Sequence, residues 1–288
     1  MSQGAEPEST QQEAAEQEKK KVGGRNLPKA IAVGVGIVVI ALGSLLWSPW
    51  IFALVVALAV TGAAWEFAQA FSTVGIRVTR APIYTATAIS PFVCYAWGLE
   101  GQVVLVGALI VAILLWRIRR GNENYVKDVT ASFFIAGYLP FMVGFVMLSL
   151  NSDNGIQRVI TFIALTIASD IGGFFAGVTF GKHPIAASIS PKKSWEGLAG
   201  SLLLQAVVGA LLFVYLLDST WWAGVITGLV MTVSATAGDF AISAIKRDVG
   251  VKDMSNLIPE HGGIMDRLDS LVPNAFVSWA MFTLFLGH

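Results

Sequence analysis

Between Ser243 and Asp269 the chain reads SAIKRDVGVKDMSNLIPEHGGIMDRLD, with four Asp, one Glu, one His, two Lys and two Arg in a protein only 13% charged. Ionisable groups cost free energy near hydrocarbon, so such a cluster beside membrane-grade sequence points to function. Asp239, Ser243 and Lys246 stand at i, i+4 and i+7, which puts a carboxylate, a hydroxyl and an ammonium on one helix face. Asp266 and Asp269, at i and i+3, share a face if residue 265 onward is helical. Asp170 and Asp239 are carboxylates inside apolar runs. Carboxylates with no cysteine partner and one neighbouring histidine are a hard-oxygen ligand set, suited to Mg²⁺ or Mn²⁺ rather than zinc. Two plainer readings compete: Asp170 and Asp239 as caps on neighbouring helices, and the loop carboxylates as salt-bridge partners of Arg247 and Arg267. Burying such pairs seldom gains net stability, which weighs toward a site.

A second cluster, Ser190-Pro191-Lys192-Lys193-Ser194-Trp195-Glu196-Gly197, reads as a loop entering a helix. Ser190 is the expected N-cap and Pro191 the first helical residue. Free N–H groups there, with Lys192 and Lys193 in the first turn, would cradle a phosphate. The alternative is a simple cytoplasmic anchor, although lysines in a first turn oppose the helix dipole unless an anion is bound. Gly173, Gly177 and Gly181 recur every four residues beside Asp170, a stripe that points to close helix packing. Gly177 to Lys182 has the wrong spacing for a nucleotide P-loop. His261 is either a phosphate donor or acid/base group or a bystander, and Gly262-Gly263 allow a sharp turn or close backbone approach. Glu66 carries less information, and the tryptophans near span ends form an interfacial belt.

The elements that must position these groups follow from composition. The 288 residues are 55% hydrophobic, with a mean hydropathy of +0.68, and several apolar runs reach the roughly 20 residues that cross a bilayer as helix. The fold class is all-α, a polytopic integral membrane protein. Nine apolar segments are expected, near 29–47, 50–72, 81–98, 102–118, 130–150, 157–181, 198–217, 221–245 and 270–287, with Pro91 kinking the third. With a cytoplasmic amino terminus, every one of the nineteen basic residues except Arg158 falls on the cytoplasmic side. External connections are short, whereas the cytoplasmic stretches 182–197 and 246–269 hold the unusual residues. Residues 1–26 form a polar tail expected to be disordered. The apolar run after it begins too late, and lacks the cleavage site, for a signal peptide. Residues 27–155 form an amino-terminal membrane region and 156–288 a catalytic one. The equal numbers of acidic and basic residues give no net charge, so the total says nothing about partners, and no nucleic acid is expected among them. Cys94, the single cysteine, excludes an internal disulfide.

From residue 165 to 285 the chain resembles phosphatidate cytidylyltransferases, the CDP-diacylglycerol synthases. The resemblance rests on Ser243-Ala-Ile-Lys246-Arg247, Lys252-Asp253 and Pro259-Glu-His261-Gly262-Gly263-Ile-Met-Asp266-Arg267-Leu-Asp269. Gly238-Asp239, Ser169-Asp170, Phe180-Gly181-Lys182 and Ser190-Pro191-Lys192-Lys193 with Glu196-Gly197 add to it. Ile171-Gly172-Gly173-Phe174 departs from the family pattern, which has an Ala and an aromatic there. The resemblance implies transfer of CMP from CTP to phosphatidic acid, giving CDP-diacylglycerol and pyrophosphate. It implies Asp239, Asp266, Lys246 and Arg267 as catalytic residues. Asp239, Asp266, Asp269 and Asp170 would hold Mg²⁺ or Mn²⁺, with a monovalent ion as candidate for a second cation. Ser190, Lys192, Lys193, Ser243, Arg247, Lys252, His261, Gly262 and Gly263 would bind the substrates. A homodimer among membrane lipids is also implied, in a bacterial plasma membrane with the site facing the cytoplasm. Two rivals predict other features. A CDP-alcohol phosphotransferase carries a DG and an AR ahead of its last two aspartates, and these are missing here; an ion-coupled transporter would have broken, charged helices in both halves.

Overall fold

The computed structural model describes residues 27–255, 257 and 262–287; the expected disordered tail, residues 1–26, and His261 lie outside them. Seven helices are long and apolar enough to cross a membrane, and the shorter apolar stretch Ala32–Trp47 accompanies them. The chain is an all-α polytopic membrane protein.

In order, α1 is Leu27–Trp47, α2 Pro49–Thr73 and α3 Arg80–Ile118. A straight helix of 39 residues would run about 58 Å at 1.5 Å per residue, nearly twice a bilayer's hydrocarbon core. The chain instead turns back at Gly98, whose φ of 60° and ψ of −149° are the only non-helical dihedrals inside α3. Cys94 Sγ therefore meets Gln102 Oε1, eight residues on. The reversal falls at the expected boundary between the segments 81–98 and 102–118, at Gly98 because only a residue without Cβ enters that backbone region cheaply, while Pro91 lies inside the helix with helical dihedrals.

Next come α4 (Tyr125–Ala136), a π-helical turn at Gly137–Phe141 and α5 (Met142–Leu150). Pro140 lacks the N–H that would continue an α-helix. Nearby side chains engage the carbonyls of this turn: Ser90 Oγ donates to Pro140 O at 2.8 Å and Gln102 Nε2 to Phe141 O at 2.5 Å. Helix α6 (Gly155–Phe180) leads to a hairpin of β1 (Pro184–Ala186) antiparallel to β2 (Ser190–Ser194). Then follow α7 (Trp195–Tyr215), α8 (Trp221–Asp248), α9 (Met265–Leu268) and α10 (Leu271–Leu286).

Glycine sets how closely α6, α7 and α8 approach. A Cβ on Gly172 would stand 2.5 Å from Gly200 O, and one on Gly173 2.7 Å from Ser201 Oγ. Gly209 and Gly224 face each other across α7 and α8 in the same way. The expected packing stripe is thus the α6–α7 seam, where backbones meet without hydrophobic drive from water. One buried core joins Phe67, Ile135, Leu139, Ile242 and Met265. A second joins Leu45, Phe145, Leu165, Phe213, Met231 and Phe282. Each core draws side chains from both sides of residue 155.

Candidate active site

The sequence around β2 corrects one expectation. Ser190 and Pro191 do not start a helix; residues Ser190–Ser194 are extended, paired with β1. The helix begins at Trp195, and its cap is Ser194, whose Oγ accepts from Gly197 N–H at 3.1 Å. Ser194 suits the role because the residues after it continue an apolar helix, whereas Pro191 can sit in a two-stranded edge, where its missing N–H breaks no ladder bond. Glu196 in the first turn ties the hairpin down, accepting from Lys182 N–H at 3.2 Å and His183 N–H at 3.3 Å. Lys192 and Lys193 therefore project from a strand and not from a helix's first turn.

From that strand both lysines reach a cavity of about 240 Å³, lined also by Asp170 and Gly173 of α6 and by Asp239 of α8. Lys193 Nζ pairs with Asp239 Oδ2 and stands 5.3 Å from the centre of the Phe240 ring. Ser243 Oγ donates to Asp239 Oδ1 at 3.2 Å, one helical turn on. Asp170 lies within electrostatic reach of Lys193, Asp239 and Arg267. Asp269 is in reach of Asp239, Lys193 and Lys246, because Gly238 lets α8 approach so closely that a Cβ there would strike Asp269 O. Helices α6 and α8 thus bring their two carboxylates to one place.

The cavity's outer wall is apolar. Phe174 lines it while remaining 67% exposed, and Phe175, Val178 and Phe180 on the same helix are exposed too. Exposed apolar side chains on a helix long enough to span a membrane suit contact with lipid, and the cavity bearing the lysines and carboxylates opens next to that face.

A second group, next along the chain, is built on Asp266. Lys246 Nζ donates to its Oδ1 at 2.7 Å, with both side chains largely buried. Its Oδ2 accepts from two backbone N–H groups, Met254 and Gly263, each at 2.9 Å. Gly262 has a φ of +81°, which favours glycine, and a Cβ there would stand a tight 3.0 Å from Asp266 Oδ2. Asp266 lies in the short turn α9 and Asp269 directly after it, and they do different work: Asp269 Oδ1 accepts from Ser270 N–H at 2.8 Å, and its carbonyl accepts from Tyr138 O–H at 3.0 Å.

Not every expected residue lines the cavity. Ser190 lies on β2 away from it, Arg247 Nε donates to Ile189 O at 3.4 Å, and Lys252 is exposed on the loop. Among the described residues no three of Asp, Glu, His and Cys converge closely enough to hold a metal ion by themselves. Instead, Lys193 and Lys246 each place an ammonium on one carboxylate.

Sequence reasoning passed over Glu66. It is fully buried in α2 and accepts from Ser255 Oγ at 2.5 Å, Ile264 N–H at 2.8 Å and Met265 N–H at 2.7 Å. Its only signal was a lone carboxylate in an apolar span, and its partners are almost 200 residues away.

Residues 28–285 match the cytidylyltransferase family. The chain is 35% identical to the phosphatidate cytidylyltransferase of Mycobacterium leprae over 277 residues, covering 91% of this chain and 89% of the relative. It is 33% identical to that of Mycobacterium tuberculosis over 274 residues, 91% of this chain and 84% of the relative. The chloroplastic phosphatidate cytidylyltransferase 4 of Arabidopsis thaliana is 32% identical over 287 residues, covering 88% and 73%. The match extends through the amino-terminal helices that supply Glu66 and Tyr138, beyond the carboxy-terminal stretch whose motifs first carried the resemblance. With the family match spanning nearly the whole chain, this protein belongs to the cytidylyltransferase family.

Proposed function

We propose that this chain is a phosphatidate cytidylyltransferase, joining CMP from CTP to phosphatidic acid and releasing pyrophosphate. The observation that supports this most is the composition of the cavity: two carboxylates and two lysines around a polar space whose outer wall is lipid-facing. A water-soluble polyanion and a lipid phosphate can meet only at such a boundary. At about 240 Å³ the space is below the roughly 300–1,000 Å³ of pockets that enclose a drug-sized ligand. It suits the reacting phosphates, with the nucleoside and acyl chains outside.

An oxygen of the lipid phosphate attacks the α-phosphorus of CTP, and the bond from that phosphorus to the bridging oxygen of pyrophosphate breaks. The attacking phosphate is already largely anionic near neutral pH, by analogy with phosphorylated side chains, so no strong base is needed. Lys192 and Lys193 neutralise phosphate oxygens, and Lys193 can leave Asp239 for an incoming anion. Lys246 and Arg267 sit by Asp266 and Asp170, where they balance charge on the departing pyrophosphate. Arg247, Lys252, Gly262 and Gly263 are the residues we assign to the nucleotide, with Ser190 at the hairpin and Ser243 orienting Asp239; the substrate role expected of His261 falls outside the described residues.

A Mg²⁺ or Mn²⁺ ion fits this donor set. Mg²⁺ commonly takes one or two carboxylates plus water and substrate phosphates, not a full protein cage. Asp239 and Asp170, with Asp269 beside them, would hold it. Asp266 has only Oδ1 to offer, by exchange for Lys246. The ion supplies charge neutralisation and in-line alignment of the phosphates when bound; a monovalent cation would complete the pair.

We also infer nine crossings, counting α1 and each arm of α3, with the amino terminus and the site on the cytoplasmic side of a bacterial plasma membrane. A homodimer is the assembly the resemblance favours. The test is conversion of labelled CTP by membranes containing the protein. Label should enter lipid only with phosphatidate and a divalent cation, and EDTA should stop it. Lipid labelling from a CDP-alcohol exchange, or ion transport without CTP turnover, would overturn the assignment.

A further inference from the structure

We propose that Glu66 is a positioning residue for nucleotidyl transfer, reaching from the amino-terminal half to hold the loop that carries Asp266. The proposal rests on the function proposed above.

A fully buried carboxylate in a membrane span is costly unless its oxygens are satisfied. All three described donors to Glu66 come from one loop: Ser255 Oγ and Ile264 N–H on Oε1, and Met265 N–H on Oε2. Asp266 grips the same loop through its own Oδ2, which accepts from Met254 N–H and Gly263 N–H. The two carboxylates thus alternate along the segment, taking residues 254, 255, 263, 264 and 265 between them. The fit leaves no slack. A Cβ on Gly263 would stand 2.7–2.9 Å from the Glu66 carboxylate.

Because Met265 directly precedes Asp266, the Glu66–Met265 bond sets where Asp266 and the Lys246 ammonium on it stand. An apolar residue at position 66 could fill the same volume but would leave three donors unpaired. A glutamine would satisfy two of them with its single carbonyl oxygen and turn an N–H₂ group toward the third.

The test uses full-length protein in phosphatidate-containing proteoliposomes, with Glu66→Gln, Glu66→Asp and Glu66→Ala compared with wild type. Each is also made with Leu257→Cys, an exposed loop position, whose maleimide modification reports loop freedom while buried native Cys94 serves as the unreactive control. Glu66→Gln is expected to stay monodisperse, to lose at least about tenfold in kcat/KM for CTP, and to speed labelling at residue 257 severalfold. Glu66→Asp should recover part of both, and Glu66→Ala should be worst. Unchanged labelling at residue 257 overturns the proposal. So does a loss of activity that merely tracks the loss of monodisperse protein, with the remainder fully active. If wild type makes no CDP-diacylglycerol, the assigned reaction fails, and the labelling rates still decide whether Glu66 holds the loop.

Discussion

Replacing Asp239 by Asn separates what this carboxylate does for folding from what it does for chemistry. Its side chain is 25% exposed and that of its partner Lys193 is 33% exposed, so the pair belongs with screened ion pairs worth about 1 kcal/mol or less. The amide keeps an oxygen for the Ser243 hydroxyl, which now bonds Asp239 Oδ1. Stability should therefore change by under about 1 kcal/mol, visible as a melting temperature within a few degrees of wild type. Catalysis should change far more. The cation proposed at Asp239 would contribute several kcal/mol of charge stabilisation; at roughly 1.36 kcal/mol per decade, a loss of about 4 kcal/mol would lower kcat on the order of a thousandfold. The KM for CTP should not rise, because the Lys193 ammonium is released to meet phosphate. This opposes the usual expectation that damaging a site weakens binding. The assay is incorporation of labelled CTP into lipid by purified protein across a Mg²⁺ titration, alongside thermal unfolding of the same preparation. Retention of more than about a tenth of wild-type kcat, or a raised KM with kcat intact, would refute the cation role of Asp239.

Two further outcomes test the frame around the site. Ser194→Ala removes the cap of α7 and should cost about 1 kcal/mol, whereas Ser190→Ala should stay within about 0.5 kcal/mol; thermal unfolding of both distinguishes the observed helix start from the expected one. Arg117 and Asp128, 2.9 Å apart with side chains 3% and 2% exposed, form a buried pair far along the sequence from the chemistry. Arg117→Met should cost about 3 kcal/mol by stranding the carboxylate. Adding Asp128→Asn should restore most of it, since the amide still accepts from Arg77 N–H; equal instability of the double variant would show that packing, not charge, holds this corner.

The helices were legible because bilayer thickness translates directly into apolar length, and the charged clusters because they interrupt it. The alignment of Asp239, Ser243 and Lys246 was legible for a similar reason, since helical periodicity relates residues four and seven apart without tertiary knowledge. The hairpin at 184–194 was not. Its second strand, Ser-Pro-Lys-Lys-Ser, has little strand propensity and no alternation, and exists because Glu196 and Ser194 anchor it to α7. The chain reversal within α3 was legible as the gap between the apolar runs 81–98 and 102–118, but not the Gly98 dihedrals that make it. Glu66 was illegible for a different reason: it joins α2 to a loop almost 200 residues later, and its partners are mostly backbone N–H groups, which every residue type shares.

Phe174 stands at once in the cavity wall and on the bilayer-facing surface. One of the two proposed substrates then never passes through bulk water on its way in. It arrives by sliding within the plane of the membrane, so its effective concentration is an areal density. Diluting that lipid with inert neighbours slows the enzyme even when the amount per volume is unchanged, while CTP still follows ordinary molarity. Cells that make membrane faster than they make this substrate would thus throttle the step by geometry alone, with no effector bound.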